Sequence, residues 1–172
     1  MDSATPYSPQ PGDIGVCRIP GRVGLAIRAG QWLVGDGFAN YEHAFVLTGA
    51  GRIVEAEVGG ALDSPLDRYD AATVLWLRCP TALGPAVAAA ALGYLGVPYS
   101  FLDYAAIGAH RFRLPAPGLR AYVGSTRHLI CSQLADQAAA DGGWHLFDDG
   151  RWPGYVTPGA LRRLAAEQPA PA

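Results

Sequence analysis

Two β-rich runs on either side of a short turn constrain the fold of this chain more than any other feature of its sequence. Residues 43–48 are His-Ala-Phe-Val-Leu-Thr and residues 52–58 are Arg-Ile-Val-Glu-Ala-Glu-Val, with Gly-Ala-Gly between them. Runs rich in β-branched and aromatic residues that flank a glycine-containing turn are typical of a β-hairpin. The sequence therefore predicts two adjacent antiparallel strands here.

The turn also predicts which residues of the hairpin share a face. We expect Thr48 to pair with Arg52, so that His43 lies opposite Glu57 and has Glu55 as its diagonal neighbour. Opposed side chains share a face, and so do alternate residues along one strand. The histidine and both carboxylates therefore project from one side of the hairpin, an arrangement that a register shift of one residue would break. The other pairs in this register are Leu47 with Ile53 and Phe45 with Glu55.

The remaining segments predict an α+β fold. Apolar patterns bounded by glycine and proline indicate further strands at residues 14–19 and 73–78, with a polar connection at 62–70. Helices are expected at residues 22–34, 84–95 and 100–108, from residue 131 to Gly142, and at 157–167, with a loop at 111–124. Early strands followed mostly by helices predict an antiparallel sheet or partial barrel with segregated helices.

Length and composition bound the domain organisation and the partners. At 172 residues, we expect one domain at 11–167, between a flexible arm at 1–10 and a flexible tail at 168–172. A formal charge of -2 argues against a nucleic-acid partner. Without a signal pattern or a long apolar run, we expect no integral membrane segment and a cytoplasmic location, with export by another route left open. The sequence leaves the oligomeric state open.

Cys131 lies where an apolar segment turns into an Ala-rich helical segment. The first turn of a helix carries unpaired N–H groups and a partial positive charge, which stabilise a thiolate and can also hold an oxyanion. The alternative is a packing role, which we expect for Cys17 and Cys79. Three cysteines without a CxxC spacing disfavour a disulfide framework or a zinc site, and no metal or other cofactor is expected.

A catalytic cysteine needs a base that takes its proton and a group that orients the base. His43 is the candidate base, because the hairpin places carboxylates on its face. The register favours Glu57 as the orienting group, with Glu55 as the alternative. The opposing interpretation is an ordinary strand histidine beside two solvent-facing carboxylates. His128 is a further candidate base, although an extended segment would direct it and Cys131 to opposite faces.

Several short motifs occur in an order that one known family shares. They lie at residues 11–14, 41–46, 53–56, 96–99, 130–134 and 156–161. The histidine precedes the cysteine, which reverses the order of ordinary papain-like enzymes. In these motifs and their order the chain resembles the circularly permuted papain-like hydrolases, a branch of the NlpC/P60 superfamily that includes the YiiX-like proteins.

The resemblance implies a circularly permuted papain-like fold with a Cys/His/Glu triad. Cys131 would be the nucleophile and His43 the general base. Glu55 would be the third member, with Glu57 as the alternate, so the resemblance and the predicted register differ on this choice.

The same resemblance marks three residues around the triad. Tyr99 matches a tyrosine near the active site, although an aromatic packing role is the alternative. Ser132 follows the nucleophile, where helix amides are expected to hold an oxyanion. Gln133 stands where the family often has an acidic residue.

Together these features predict a cysteine hydrolase that cleaves an amide bond through a thioester acyl-enzyme. The expected substrate is a peptide, a peptidoglycan fragment or a lipid amide. One alternative is a lipid acyltransferase or thioesterase on the same fold. The other is a catalytically inactive domain that binds a peptide or a lipid.

Overall fold

The structure is a computed structural model and describes residues 7–33, 40–99, 129–149 and 156–169. Its strands are β1 (Ile14–Cys17), β2 (His43–Gly49), β3 (Arg52–Glu57), β4 (Gly60–Pro65) and β5 (Leu75–Leu77). They form an antiparallel sheet in the order β4-β3-β2-β1-β5. The described helices are α1 (Gly21–Leu33), α2 (Gly84–Gly93), α3 (Cys131–Asp141) and α4 (Pro158–Glu167). The fold is therefore α+β, as the sequence predicts.

Most of the predicted elements are confirmed within about two residues, and one prediction is wrong. Residues 62–70, predicted as a polar connection, contain most of β4 and a 3-10 helix at Leu66–Arg68. β4 lacks the β-branched residues that signal a strand, and it forms because all six of its residues pair with β3. The predicted helix at 100–108 and the predicted loop at 111–124 lie outside the described residues.

One face of the sheet carries the larger part of the core. Ala44 and Val46 of β2 and Val54 of β3 lie on this face and are fully buried. α3 packs against both strands, and α2 packs against β2. Both helices are rich in alanine, and their small side chains allow a close approach to the sheet.

The opposite face is covered by the chain that leads from β4 to β5, residues 66–74, which we call the crossover segment. β4 and β5 are at opposite edges of the sheet, so this segment passes across the whole face. Its Leu66, Tyr69 and Val74 pack against Phe45 of β2 and Ile53 of β3. The strand order therefore brings residues of the crossover segment directly over the hairpin.

Backbone and side-chain groups from outside the sheet contact both of its edges. Along β4, Ala61 donates to the carbonyl of Val97 and accepts from the N–H of Gly96, both at 2.8 Å. Beyond β5, the Gln168 carboxamide accepts from the Arg78 N–H at 2.8 Å and donates to the Arg78 carbonyl at 2.9 Å. Part of the backbone of β4, and the backbone of the residue that follows β5, are therefore hydrogen-bonded within the protein.

A buried ion pair holds the start of β2 against α1. The Glu42 carboxylate is completely buried and accepts from Arg28 through Nε at 2.8 Å and Nη2 at 2.6 Å. Its second oxygen accepts from the N–H of Ile19 at 3.0 Å. Because Glu42 precedes His43, these contacts position the first residue of the strand.

Among the described residues, none of the helices has both the length and the apolar character that crossing a bilayer requires.

Candidate active site

Cys131 is the first residue of α3, and the chain enters this helix in an extended conformation at Ile130. The Ile130 N–H donates to Oε1 of the buried Gln133 at 2.9 Å. This contact closes the first turn of the helix. Gln133 therefore has a structural role at the position where the family resemblance expects an acidic residue.

His43 is the first residue of β2, so its ring lies at the end of the sheet, next to the first turn of α3. The ring lies beside the Cys131 thiol, close enough for charge and hydrogen bonding between the two groups to shift the pKa of each. Its Nε2 lies 2.7 Å from Oε2 of Glu55. Because the carboxylate engages Nε2, Nδ1 is the ring nitrogen left for the sulfur. The structure thus brings together Cys131, His43 and Glu55.

These three side chains are almost completely removed from solvent. Cys131 is 1% exposed, His43 is 3% exposed and Glu55 is fully buried. A buried charge is tolerated only when it is paired and hydrogen-bonded. The contacts between the three groups therefore determine their protonation states.

Burial disfavours the charged forms of His43 and Cys131, but their mutual interaction outweighs it. The charge and hydrogen bond of Cys131, together with those of Glu55, raise the pKa of His43 to about 10. In the opposite direction, the charge and hydrogen bond of His43 lower the pKa of the Cys131 thiol. Both shifts therefore favour the thiolate and imidazolium form of the pair over its neutral form.

Two backbone amides add to the stabilisation of the sulfur. The N–H groups of Ala44 and Ser132 are hydrogen-bonded to Cys131 and lower its pKa further. The Ser132 hydroxyl is engaged elsewhere, because it donates to the carbonyl of Val156 at 2.7 Å. Ser132 therefore acts on the Cys131 sulfur through its main chain.

The Glu55 carboxylate has hydrogen-bond partners on both oxygens. Oε2, which faces His43, also accepts from the Tyr69 hydroxyl at 2.6 Å. Oε1 accepts from Nη1 of Arg68 at 2.7 Å. Burial alone would raise the pKa of a carboxyl, but the hydrogen bonds from His43, Ser64 and Tyr69 lower that of Glu55 to about 2. Glu55 is therefore ionised at any pH near neutrality.

Glu57 has a different environment from Glu55. Its side chain is 36% exposed, and its Oε1 accepts from Nη2 of Arg68 at 2.9 Å. The predicted register placed Glu57 opposite His43, whereas the contact with the ring comes from the diagonal neighbour, Glu55.

The hairpin register is confirmed at its centre and is wrong at the turn. The predicted pairs Phe45–Glu55 and Leu47–Ile53 are both present. Arg52 pairs with Gly49 and not with Thr48, because the register shifts between Leu47 and Gly49. Gly49 has a φ of 126°, which glycine adopts without strain and which permits this irregularity. The shift is confined to the turn, so the side chains farther along the hairpin keep their predicted faces.

The sequence analysis did not predict Ser64, Arg68 or Tyr69 as hydrogen-bond partners of Glu55. Ser64 lies on β4 opposite Ile53 and so shares the face of Glu55, a relation that a correct prediction of β4 would have revealed. Arg68 and Tyr69 belong to the crossover segment. No local sequence pattern signals their position, since it follows from the strand order.

The structure also describes Tyr99, Cys17 and Cys79, the other residues that the sequence analysis considered. Tyr99 forms a parallel bridge with Leu129, two residues before Cys131, and is half-buried. Cys17 is buried opposite His43 in the β1–β2 pairing, and burial raises the pKa of its thiol. Burial also raises the pKa of Cys79, to about 11.

Two further predictions have no structural outcome here. His128 and the loop at 111–124 lie outside the described residues.

Comparisons of the chain with models of known protein families, with curated proteins and with solved structures gave no match.

Proposed function

We propose that this chain is a cysteine hydrolase that cleaves an amide bond through a thioester acyl-enzyme. The observation that carries the proposal is the buried group of the Cys131 thiol, the His43 ring beside it and the Glu55 carboxylate, whose Oε2 lies 2.7 Å from Nε2 of the ring. A nucleophile, a base and a group that orients the base are the parts that covalent acyl transfer requires. The proposed substrate is a peptide, a peptidoglycan fragment or a lipid amide.

The first half of the proposed reaction uses the ion pair directly. The Cys131 thiolate attacks the carbonyl carbon, a C–S bond forms, and an electron pair moves to the carbonyl oxygen. The amides of Ala44 and Ser132 are the described donors beside the sulfur that could stabilise this oxyanion. The His43 imidazolium then gives its proton to the leaving nitrogen as the C–N bond breaks, which leaves a thioester and a free amine.

The second half restores the enzyme. The neutral His43 ring takes a proton from water while the oxygen of that water attacks the thioester carbon. The C–S bond then breaks, the carboxylic acid leaves, and the thiolate and imidazolium are regenerated. Glu55 holds the ring in one orientation throughout and favours its charged form, without accepting the proton itself.

We further propose that the fold is a circularly permuted papain-like domain. Its support is the order of the described parts, in which the strand that carries the histidine precedes the helix that carries the cysteine. The three cysteines are free thiols, which suits a reducing compartment, and we propose the cytoplasm as the location.

The proposal is tested by the pH dependence of cysteine alkylation. The measurement is the alkylation rate of each cysteine at pH 6 and at pH 8, followed by mass spectrometry of its peptide. An ordinary thiol, with a pKa near 8.5, slows by about two orders of magnitude at the lower pH. For Cys131 we expect a clearly smaller change than for an ordinary thiol, because the neighbouring His43 lowers its pKa. The ratio of the two rates cancels the restricted access of a buried sulfur.

The chain supplies its own controls for this test. Cys79, whose pKa is raised to about 11, should show the full slowing in the same sample. His43→Gln removes the imidazolium and should give Cys131 the pH dependence of an ordinary thiol. An acyl adduct on Cys131 after exposure to an activated ester or amide would then establish the covalent intermediate. If wild-type Cys131 slows as much as Cys79 does, the proposed nucleophile is wrong.

One observation favours a second candidate, a catalytically inactive domain that binds a peptide or a lipid. The Cys131 sulfur is nearly inaccessible, while a cleft of about 480 Å³ lies elsewhere, between residues 146–149 and α4. Phe147, Leu164 and Arg163 are among the residues that line it. An ion pair at Cys131 without an acyl adduct from any activated substrate would favour this candidate.

A further inference from the structure

The Glu55 carboxylate is held from the crossover segment, on the side away from His43. We propose that Tyr69 and Arg68 are positioning residues, which keep this carboxylate in the single orientation that serves the His43 ring. The catalytic part of this inference rests on the proposed function, whereas the holding of the carboxylate does not.

The hydrogen bonds restrict rotation of the carboxylate group. Oε2 of Glu55 is 2.7 Å from Nε2 of His43 and accepts from the Tyr69 hydroxyl at 2.6 Å. Oε1 accepts from Nη1 of Arg68 at 2.7 Å. A carboxylate held through both oxygens cannot turn without breaking bonds on each side. The oxygen that faces the imidazole therefore stays the same one.

Aromatic packing fixes the Tyr69 hydroxyl. The Tyr69 ring stacks on Phe45, with centroids 5.1 Å apart and an interplanar angle of 18°. It also lies beside the His43 ring, at 5.8 Å and 33°. Trp76 contacts the far side of this group, edge-on to Phe45 at 5.7 Å. A phenylalanine at position 69 would keep these ring contacts and remove only the hydroxyl.

Arg68 supplies both a charge and a geometric link. Its Nη1 donates to Glu55 and, at 2.9 Å, to the Ser64 hydroxyl oxygen, while its Nη2 donates to Glu57 at 2.9 Å. The guanidinium thus joins the buried carboxylate to the exposed one. A planar group with several fixed donors suits this bridging, which a lysine ammonium would reproduce only in part.

The titratable and charged groups near Glu55 lie on three strands, on the crossover segment and on α3. They are Cys17 on β1, His43 on β2, Glu57 on β3 and Arg68 and Tyr69 on the crossover segment, with Cys131 on α3 behind His43. Only His43 and Arg68 among these carry a positive charge. Loss of Arg68, or of the Tyr69 donor, therefore disfavours the charged form of Glu55.

The test is a pH titration of Glu55 in protein labelled with ¹³C at the glutamate carboxyls, followed by NMR. The chain has four glutamates, and Glu55→Gln assigns the resonance. In the wild type we expect the midpoint of this carboxyl at about pH 2. Tyr69→Phe and Arg68→Gln should each raise its midpoint by about one pH unit, the effect of one charge-assisted hydrogen bond.

A matched control exists on the other side of the molecule. The Tyr94 hydroxyl donates to Asp141 at 2.5 Å, so Tyr94→Phe also removes a bond between a tyrosine and a carboxylate. It should leave the Glu55 titration unchanged. Because the Arg68 side chain is 40% exposed, its variants should fold even if Tyr69→Phe does not. An unshifted Glu55 midpoint in every folded variant of Arg68 and Tyr69 would overturn the proposal.

Kinetics then separate positioning from the proposed reaction. For Tyr69→Phe we expect kcat to fall by about tenfold with KM unchanged, and the acid limb of the rate profile to move to higher pH. Arg68→Lys should recover part of the activity lost in Arg68→Gln. Shifted Glu55 titrations without acyl hydrolysis by any form of the protein would support the holding of the carboxylate and refute the hydrolase. Hydrolysis with unshifted titrations would refute the positioning role alone.

Discussion

The ion pair between Cys131 and His43 should make the stability of the protein depend on pH in a characteristic way. His43 has a pKa raised to about 10, so its contribution to stability is complete below about pH 6.5 and is lost as the pH rises to 10. Cys131 has a lowered pKa, so its contribution is complete above about pH 8.5 and is lost as the pH falls.

The sum of the two contributions has three regions. Between about pH 6.5 and 8.5 the folded and unfolded pairs each bind one proton, and the two trends cancel. Above about pH 8.5 the unfolded pair has lost both protons while the folded pair keeps one, so stability falls by about 1.4 kcal/mol per pH unit. From pH 8.5 to pH 10 the expected loss is therefore about 2 kcal/mol. Below pH 6.5 the unfolded pair binds two protons, and stability falls again.

The assay is urea denaturation of the wild type and of Cys131→Ala between pH 5 and pH 10. Other titrating groups affect both proteins alike, so the difference in unfolding free energy isolates the pair. Cys131→Ala removes the main cause of the raised His43 pKa, and its stability should lack the alkaline loss. The difference should be flat near pH 7.5 and shrink on either side. A difference that stays constant from pH 8.5 to pH 10 would refute the ion pair.

Other substitutions test the surrounding structure. Glu42→Gln removes the charge that pairs with the mostly buried Arg28 guanidinium, and should lower the unfolding free energy in urea denaturation by about 3–5 kcal/mol. A loss below about 1 kcal/mol would contradict the role given to this ion pair. Gly15→Ala places a methyl group against the Phe45 ring and should destabilise the protein by about 1–3 kcal/mol. Gly30→Ala adds a methyl group in open space on α1 and should stabilise the protein by about 0.5–1 kcal/mol. Thermal melts that rank the two variants the other way would argue against this packing. Glu55→Gln should lower kcat/KM for an acyl substrate by about a hundredfold or more and Glu57→Gln by less than about threefold; equal losses would mean that the exposed carboxylate also takes part.

The hairpin was predictable because its signals are local. The alternation of Ala44, Phe45 and Val46 between two faces follows from the strand period, and the glycines mark the turn. The bulge at the turn could not be read from the sequence, since several registers fit one Gly-Ala-Gly sequence. Strand pairing alone does not decide whether Glu55 or Glu57 contacts the His43 ring. The contact is made by Glu55, the diagonal neighbour.

Local sequence patterns do not predict which side chains surround Glu55. Tyr69 and Arg68 follow a strand with weak propensity, and they reach the hairpin only because β5 pairs with β1 rather than with β4. That choice is set by packing across the whole sheet. The contact of Cys131 with His43 likewise joins residues far apart in the chain. It was expected from the family resemblance, and no local pattern of residues encodes it.

The contacts along the two edges of the sheet bear on solubility. An unprotected edge strand can pair with the same strand of a second molecule and begin aggregation. Here the backbone of Gly96 and Val97 occupies part of the outer edge of β4, and the carboxamide of Gln168 takes the place of a neighbouring strand beside Arg78. β5 is also only three residues long, which leaves little edge to recruit a partner. The side chain of Gln168, the residue after α4, therefore occupies backbone groups next to β5 that could otherwise pair with a strand of a second molecule.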